Sequence, residues 1–311
     1  DELGCVMVGA DEPIVIGAML VTSGPNANLG EDSQGGIEIA IFDRGGMVLD
    51  HEIELVVEDS LCSAEGGQAA AQRVAADETI VGVIGTNCSG AAQGAMPIIS
   101  DAGMVLISPS NTSPALTNDD TEAGGTYLPG YFRTGHNDLF QGAMAAQFAI
   151  EVLGATSLAT IHDGDPYTEG LATVMADTFA EMGGDVVFQG AVGKDDNSFI
   201  ATQLVQTTGL ENTAMMTADG SFASDFPGNT QDAAVGIYMS GPFVSGDTYD
   251  EFLTTWDEEI GGVPPSGFHA HAYDAANLLM DAVEAVAIVG DDGSLMIGRQ
   301  ALRDALADVE D

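Results

Sequence analysis

At 311 residues the chain exceeds what one compact core ordinarily holds, so two domains of ordinary size are expected. Hydrophobic residues make up 45%, which excludes a disordered chain. A formal charge of −43, from 49 acidic and 6 basic residues spread through the sequence, excludes nucleic acid and anionic lipid as natural partners. The acidity reads first as a solubilising surface suited to a salty medium, and second as an influence on ligand choice. No apolar run reaches bilayer length, and no basic segment followed by an apolar one opens the chain, so any export signal is expected to have been removed. Cys5, Cys62 and Cys88 allow one pair plus an odd thiol, and a disulfide would indicate an oxidising compartment.

In chain order, short β-branched runs alternate with helical patterns, which predicts parallel βαβ units. PIVIGAML (13–20) reads as a buried strand, 29–45 as a helix, and EIELVVED (52–59) as a half-buried strand. An Ala-rich helix (63–77), the strand IVGVIG (80–85), a helix (89–103) and the strand MVLISP (104–109) complete a first lobe. After a polar, Gly-rich stretch (117–130), YFRT (131–134) reads as a crossing strand. A helix (137–154), the strand SLATIHD (157–163), a helix (167–184) and the strand DVVFQGAV (185–192) follow. The series then breaks. Gly193 to Asn197 lead directly into a helical segment (198–208) and the strand TAMMTAD (213–219), as though one βα unit were missing near 193–198. Three helical patterns after Pro242 are expected to return to the first lobe. The expected fold is therefore α/β, with two doubly wound parallel-sheet lobes joined by a hinge. Residues 12–131 and 244–311 form the first lobe and 132–243 the second.

The turn GTNCSG (85–90) has its own physical logic. A serine at the mouth of a parallel strand, opening a helix, offers a hydroxyl and free N–H groups with the positive end of the helix behind them. Ser89 is thus a candidate anion seat, although the same serine could simply cap its helix.

The segments IGAMLVTSGPNANLGEDSQGGIEIAI, EDSLCSAEGGQAAAQRVAAD, VGVIGTNCSGAAQGAMPIISDAGMVLISPSNTSPALT and IHDGDPYTEGL, in this order, resemble the type I periplasmic binding proteins. They resemble in particular the leucine/isoleucine/valine-binding branch that serves ABC transporters, and the likeness runs from about Pro13 to Asp308. The resemblance implies that the Ser89 loop, with Cys88, holds a ligand α-carboxylate. It implies that Ser110 main-chain atoms and the Thr112 hydroxyl meet the ligand's amino and carboxylate groups, and that Asp219 pairs with its α-ammonium. Tyr167 matches an aromatic that closes over the ligand, Phe268 matches a side-chain-pocket aromatic, and Leu29 stands where the family often has an aromatic. The family's disulfide corresponds to Cys62 and Cys88. Each assignment has a plainer alternative: Thr112 as a turn residue, Asp219 as a helix cap, and the aromatics as core.

What the resemblance implies is capture without chemistry, by an extracytoplasmic solute-binding protein that delivers a branched-chain or related amino acid to an ABC transporter permease. Such a protein is expected to be a periplasmic or extracellular monomer, compatible with a removed lipoprotein segment, and to need no cofactor or metal. No GxSxG elbow, P-loop or GxGxxG pattern supports an enzyme, HAH (269–271) reads as a helix start, and DGDPYTEG lacks the glycine of a calcium loop. A ligand-sensing receptor or regulator domain of the same fold, binding an amide or urea-like compound, is the alternative.

Overall fold

The computed structural model describes residues 1–193, 203–204, 206–210, 212–221, 226, 228 and 231–309. The first lobe is built from β1 (Cys5–Val8), β2 (Ile14–Leu20), α1 (Ala27–Asp43), β3 (Met47–Val48) and β4 (His51–Asp59). It continues with α2 (Ala64–Ala76), β5 (Ile80–Gly85), α3 (Ser89–Asp101), β6 (Leu106–Ser108) and β7 (Tyr131–Arg133). Its main sheet runs β3-β4-β2-β5-β6-β7, parallel except for the β3–β4 pair. Every residue of β2 is buried, because helices cover both faces of a central parallel strand; this is why it reads as an unbroken apolar run. Its side chains alternate between two cores: Ile14, Ile16, Ala18 and Leu20 face one, Val15 and Met19 the other.

Beyond the second lobe the chain returns through α6 (Asp247–Glu259), α7 (His269–Val286), β12 (Ile288–Val289), β13 (Leu295–Gly298) and α8 (Arg299–Ala307). Helix α7 packs along α1 so closely that a Cβ on Gly36 would lie 2.1 Å from the His269 carbonyl oxygen. Sequence reading missed a small antiparallel sheet, β1-β13-β12. Strands of two to four residues carry no detectable period, yet Val6 and Val8 of β1 lie in the first-lobe core, ahead of the boundary placed at residue 12.

The second lobe contains α4 (Asp138–Gln147), β8 (Ser157–His162), α5 (Pro166–Glu181), β9 (Asp185–Ala191), β10 (Met216–Thr217) and β11 (Tyr238–Met239). Among the described residues its strands form two separate parallel pairs, β8-β9 and β10-β11. The helix expected over 137–154 is regular only to Gln147 and passes into a π turn at Phe148–Val152. The strand expected over 213–219 shortens to Met216–Thr217, and Asp219 begins a short 3-10 turn instead. The break noted between Val192 and Ser198, and most of the helix expected at 198–208, lie outside the described residues.

Candidate ligand-binding site

The strand mouths of β5 and β6 lie side by side and are tied together by their own polar atoms. Cys88, not Ser89, occupies the cap position of α3, so Ser89 stands inside the helix. The buried Ser89 hydroxyl instead accepts a hydrogen bond from Ser113 N at 3.3 Å, which joins the two loops. The Ala92 N–H closes the first α-turn onto the Cys88 carbonyl, so the N–H groups before it have no carbonyl partner within the helix. A disulfide between Cys62 and Cys88 pins this turn to the segment ahead of α2. Cys5 is a free thiol on β1.

Asn87 is the hub that sequence reading passed over. Its side-chain oxygen accepts from Val21 N at 2.9 Å, while its amide nitrogen donates to the Leu29 carbonyl, Ser33 Oγ and Ser110 Oγ. Ser110 and Leu29 are thereby fixed around one buried amide; the Ser110 hydroxyl itself donates to the Asn87 carbonyl. The loop that follows is held by Arg133 on β7, whose guanidinium donates to the carbonyls of Asn111 and Ser113 and to Thr117 Oγ1.

The second lobe meets these loops at Thr112, whose carbonyl accepts from Asp138 N at 3.0 Å. Asp138 opens α4 behind an Asn137 cap and is fully buried, with the Thr112 hydroxyl beside its carboxylate and no well-formed hydrogen bond to either oxygen. Burial, then the charge of Asp219, pushes its carboxyl up to about 8; the Thr112 hydroxyl and Arg133 pull the other way. Asp219, also buried, accepts from Gln141 Nε2 at 2.7 Å and from the Tyr167 hydroxyl at 3.0 Å on the same oxygen. Burial raises its carboxyl too, against the lowering effect of His136 and these hydrogen bonds. Tyr167 is raised well above its ordinary value by burial and by Asp219, so it stays a donor. One donor atom each from His136, Asp138 and Asp219 lie within 4.8 Å of one another.

Phe268 closes another side of this cluster, its ring stacked on His136 at a centroid distance of 6.1 Å. The segment is aimed by Asp32, a fully buried residue of α1 that accepts from Ser266 N, Phe268 N and His269 Nδ1. His269 begins α7 and takes a Tyr249 hydroxyl on its other nitrogen. His271 packs against Phe268; burial and the two neighbouring histidines lower it to about 4, so it is neutral near pH 7. The lobes also touch where α5 begins. Asp165 caps α5 through Tyr167 N, and its other oxygen lies 2.7 Å from where a Gly90 Cβ would stand on α3.

Ser89, Ser110, Thr112, Tyr167, Asp219, Cys88, Leu29 and Phe268 are therefore linked through neighbouring contacts around one junction between the lobes. A periplasmic binding protein family model matches residues 13–206. The chain belongs to the periplasmic binding protein family. It is 31% identical over 202 residues to an amino acid binding protein of Pseudomonas aeruginosa, covering 64% of this chain and 52% of the relative. It is 35% identical over 195 residues to a Leu/Ile/Val-binding protein of Citrobacter freundii, covering 61% and 50%. The chain thus spans about half the length of the curated relatives it matches. A leucine binding protein from Thermotoga maritima shares the fold, with a TM-score of 0.80 at 24% identity over 94% of this chain and 87% of that one. No helix among the described residues is long and apolar enough to cross a membrane.

His136, Asp138, Gln141, Asn87 and Asp32 join the junction without having been singled out in the sequence. Asp138 follows an asparagine at a helix start, where an acid ordinarily serves the helix dipole, so nothing local marked it for another role.

Proposed function

We propose that this chain is an extracytoplasmic solute-binding protein that captures a branched-chain or related amino acid as its zwitterion and passes it to an ABC transporter permease. The first lobe supplies the carboxylate seat at the α3 N-terminus with Ser89, the 110–112 loop and their N–H groups. The second lobe supplies the ammonium seat at Asp219, and Tyr167 and Phe268 border the guest. The observation that carries this reading is the buried Asp219 carboxylate, oriented by Gln141 and Tyr167, in the same junction as the α3 turn. Charge-assisted hydrogen bonds contribute on the order of 1.5–3 kcal/mol each, so a few reach the roughly 8 kcal/mol of a micromolar binder. The family is one of binding proteins, which supports binding without turnover. The working protein would be a periplasmic or extracellular monomer.

The test is a thermal-shift panel of amino acids, amides, urea and benzoate on the intact chain. A concentration-dependent rise with leucine, isoleucine or valine is expected. A rise with amides or urea alone would turn the assignment to a sensor domain, and no rise with any amino acid would defeat it.

A further inference from the structure

We propose that Asp32 of α1 is the positioning residue for Phe268, and that through this ring it sets the preference for a ligand with a large apolar side chain. This inference rests on the reading above, in which Phe268 borders the guest.

A buried carboxylate is costly unless donors meet it. Asp32 is fully buried, and three donors of one four-residue segment converge on it. Its Oδ1 takes Ser266 N at 2.9 Å and His269 Nδ1 at 3.0 Å, and its Oδ2 takes Phe268 N at 2.8 Å. On its far side the His269 ring meets the Tyr249 hydroxyl of α6 at 2.7 Å through Nε2. One carboxylate on α1 thus fixes the backbone on both sides of Phe268 and is linked onward to a third helix.

The start of α7 explains why a remote acid is used. Phe268 occupies the cap position of that helix, and its side chain caps nothing. Ser, Thr, Asp or Asn ordinarily stands at such a position. Here the carboxylate of another helix holds the start of α7 instead, where negative charge suits the helix dipole. Position 268 is thereby left to an aromatic ring. The anchor has little room to shift: a Cβ on Gly35 would lie 2.3 Å from Trp256 Cη2, and one on Gly36 2.1 Å from the His269 carbonyl oxygen.

The other end of the segment reaches the chain as it enters the second lobe. The buried Phe268 ring stacks on His136 at 6.1 Å with 9° between planes and lies 5.6 Å from the His271 ring. Thr134, just past β7, donates through Oγ1 to the His271 carbonyl at 2.7 Å. The ring therefore stands between an anchor in the first lobe and the residues leading into the second, and a shift of the 266–269 backbone would move it against His136.

The experiment is calorimetric titration of L-leucine and L-alanine into the intact chain and into Asp32→Asn, Phe268→Ala and the double variant, with the melting temperature of each. Leucine exceeds alanine by three carbons, each contributing about 4-fold when buried, so the wild-type protein should prefer leucine by roughly 50-fold. Phe268→Ala should reduce that ratio below about 10-fold. Asp32→Asn keeps the size of the side chain but turns an amide NH2 towards a donor of the segment; it should reduce the ratio likewise. The double variant should lie no lower than Phe268→Ala alone, because Asp32 acts through the ring. A merely structural Asp32 would lower the melting temperature and weaken both ligands by one factor; an unchanged ratio would overturn the proposal and leave the zwitterion reading standing. A ratio unaffected by Phe268→Ala, or a wild-type ratio near unity, would overturn it too. Should Asp32→Asn fail to fold, Tyr249→Phe decides, since it removes only the hydroxyl at His269 Nε2: a ratio lowered about 2–3-fold at an unchanged melting temperature is expected, and an unchanged ratio would overturn the proposal. Failure of the wild-type protein to bind any amino acid would instead remove the zwitterion reading, and this inference with it.

Discussion

The two lobes reach their folds by unequal means. The first has a six-stranded sheet covered on both faces, with cores around Ile16, Leu20 and Leu279 on one side and Met19, Val83 and Ile99 on the other. The second, among the described residues, has two strand pairs and a core cluster centred on Ala146, Ala149 and Phe179. Burial of apolar surface is the main favourable contribution to folding, and the extensive first-lobe core underlies the polar loops at its strand mouths. On the first-lobe side Asn87, Ser108 and Arg133 bond the loops to each other while Asn111 Nδ2 is left without a partner, and on the second-lobe side Gln141 and Tyr167 bond Asp219 beside the buried Asp138 carboxylate.

The sharpest way to break this contrast is Phe179→Ala. Removing the one large side chain of the described second-lobe core is expected to cost about 3–5 kcal/mol and to split urea unfolding into two transitions, the second lobe first. A single cooperative transition shifted as a whole would show that the lobes do not differ in the way described. Its first-lobe counterpart is the double substitution Cys62→Ser and Cys88→Ser. Opening a bridge between residues 26 positions apart is expected to cost roughly 3–4 kcal/mol, read in the first-lobe transition alone.

A smaller effect is expected at the contact between the lobes. Gly90→Ala would set a methyl group 2.7 Å from Asp165 Oδ2, which opposes closure, while alanine favours helix α3 itself. Leucine affinity should fall by up to about 10-fold, with the melting temperature of the ligand-free protein unchanged or slightly raised. Equal affinity would mean that the Asp165 contact plays no part in closing on the ligand.

Much of the first lobe was legible because its central strands are buried on both faces, and long apolar runs between Ala-rich helices have few other readings. β2 and β5 agree with their expected spans to within a residue. What escaped was short or irregular: β1, β12 and β13, the π turn after Gln147, and a strand that ends before Asp219. No periodicity exists in so few residues. In the site, Ser89, Thr112 and Asp219 came from strand-mouth logic joined to a family resemblance. The structure assigns Ser89 a different local role, as acceptor for Ser113 N and not as a cap. Asn87, Asp32 and Asp138 were hidden because an Asn in a turn, an acid in a surface-like helix and an acid in a first helical turn all have ordinary uses. Only the three-dimensional contacts reveal that Asp32 bonds three groups of the 266–269 segment while no well-formed hydrogen bond reaches the Asp138 carboxylate.

The account depends on both ends of one guest being gripped, the acidic end by the first lobe and the basic end by the second. Calorimetry with L-leucine, 4-methylpentanoate and 3-methylbutylamine separates those ends, since each analogue keeps the side chain and deletes one charge. The account predicts that either deletion weakens binding by at least about 100-fold, the loss of one or two charge-assisted bonds. An analogue lacking either charge that binds as tightly as leucine would contradict it.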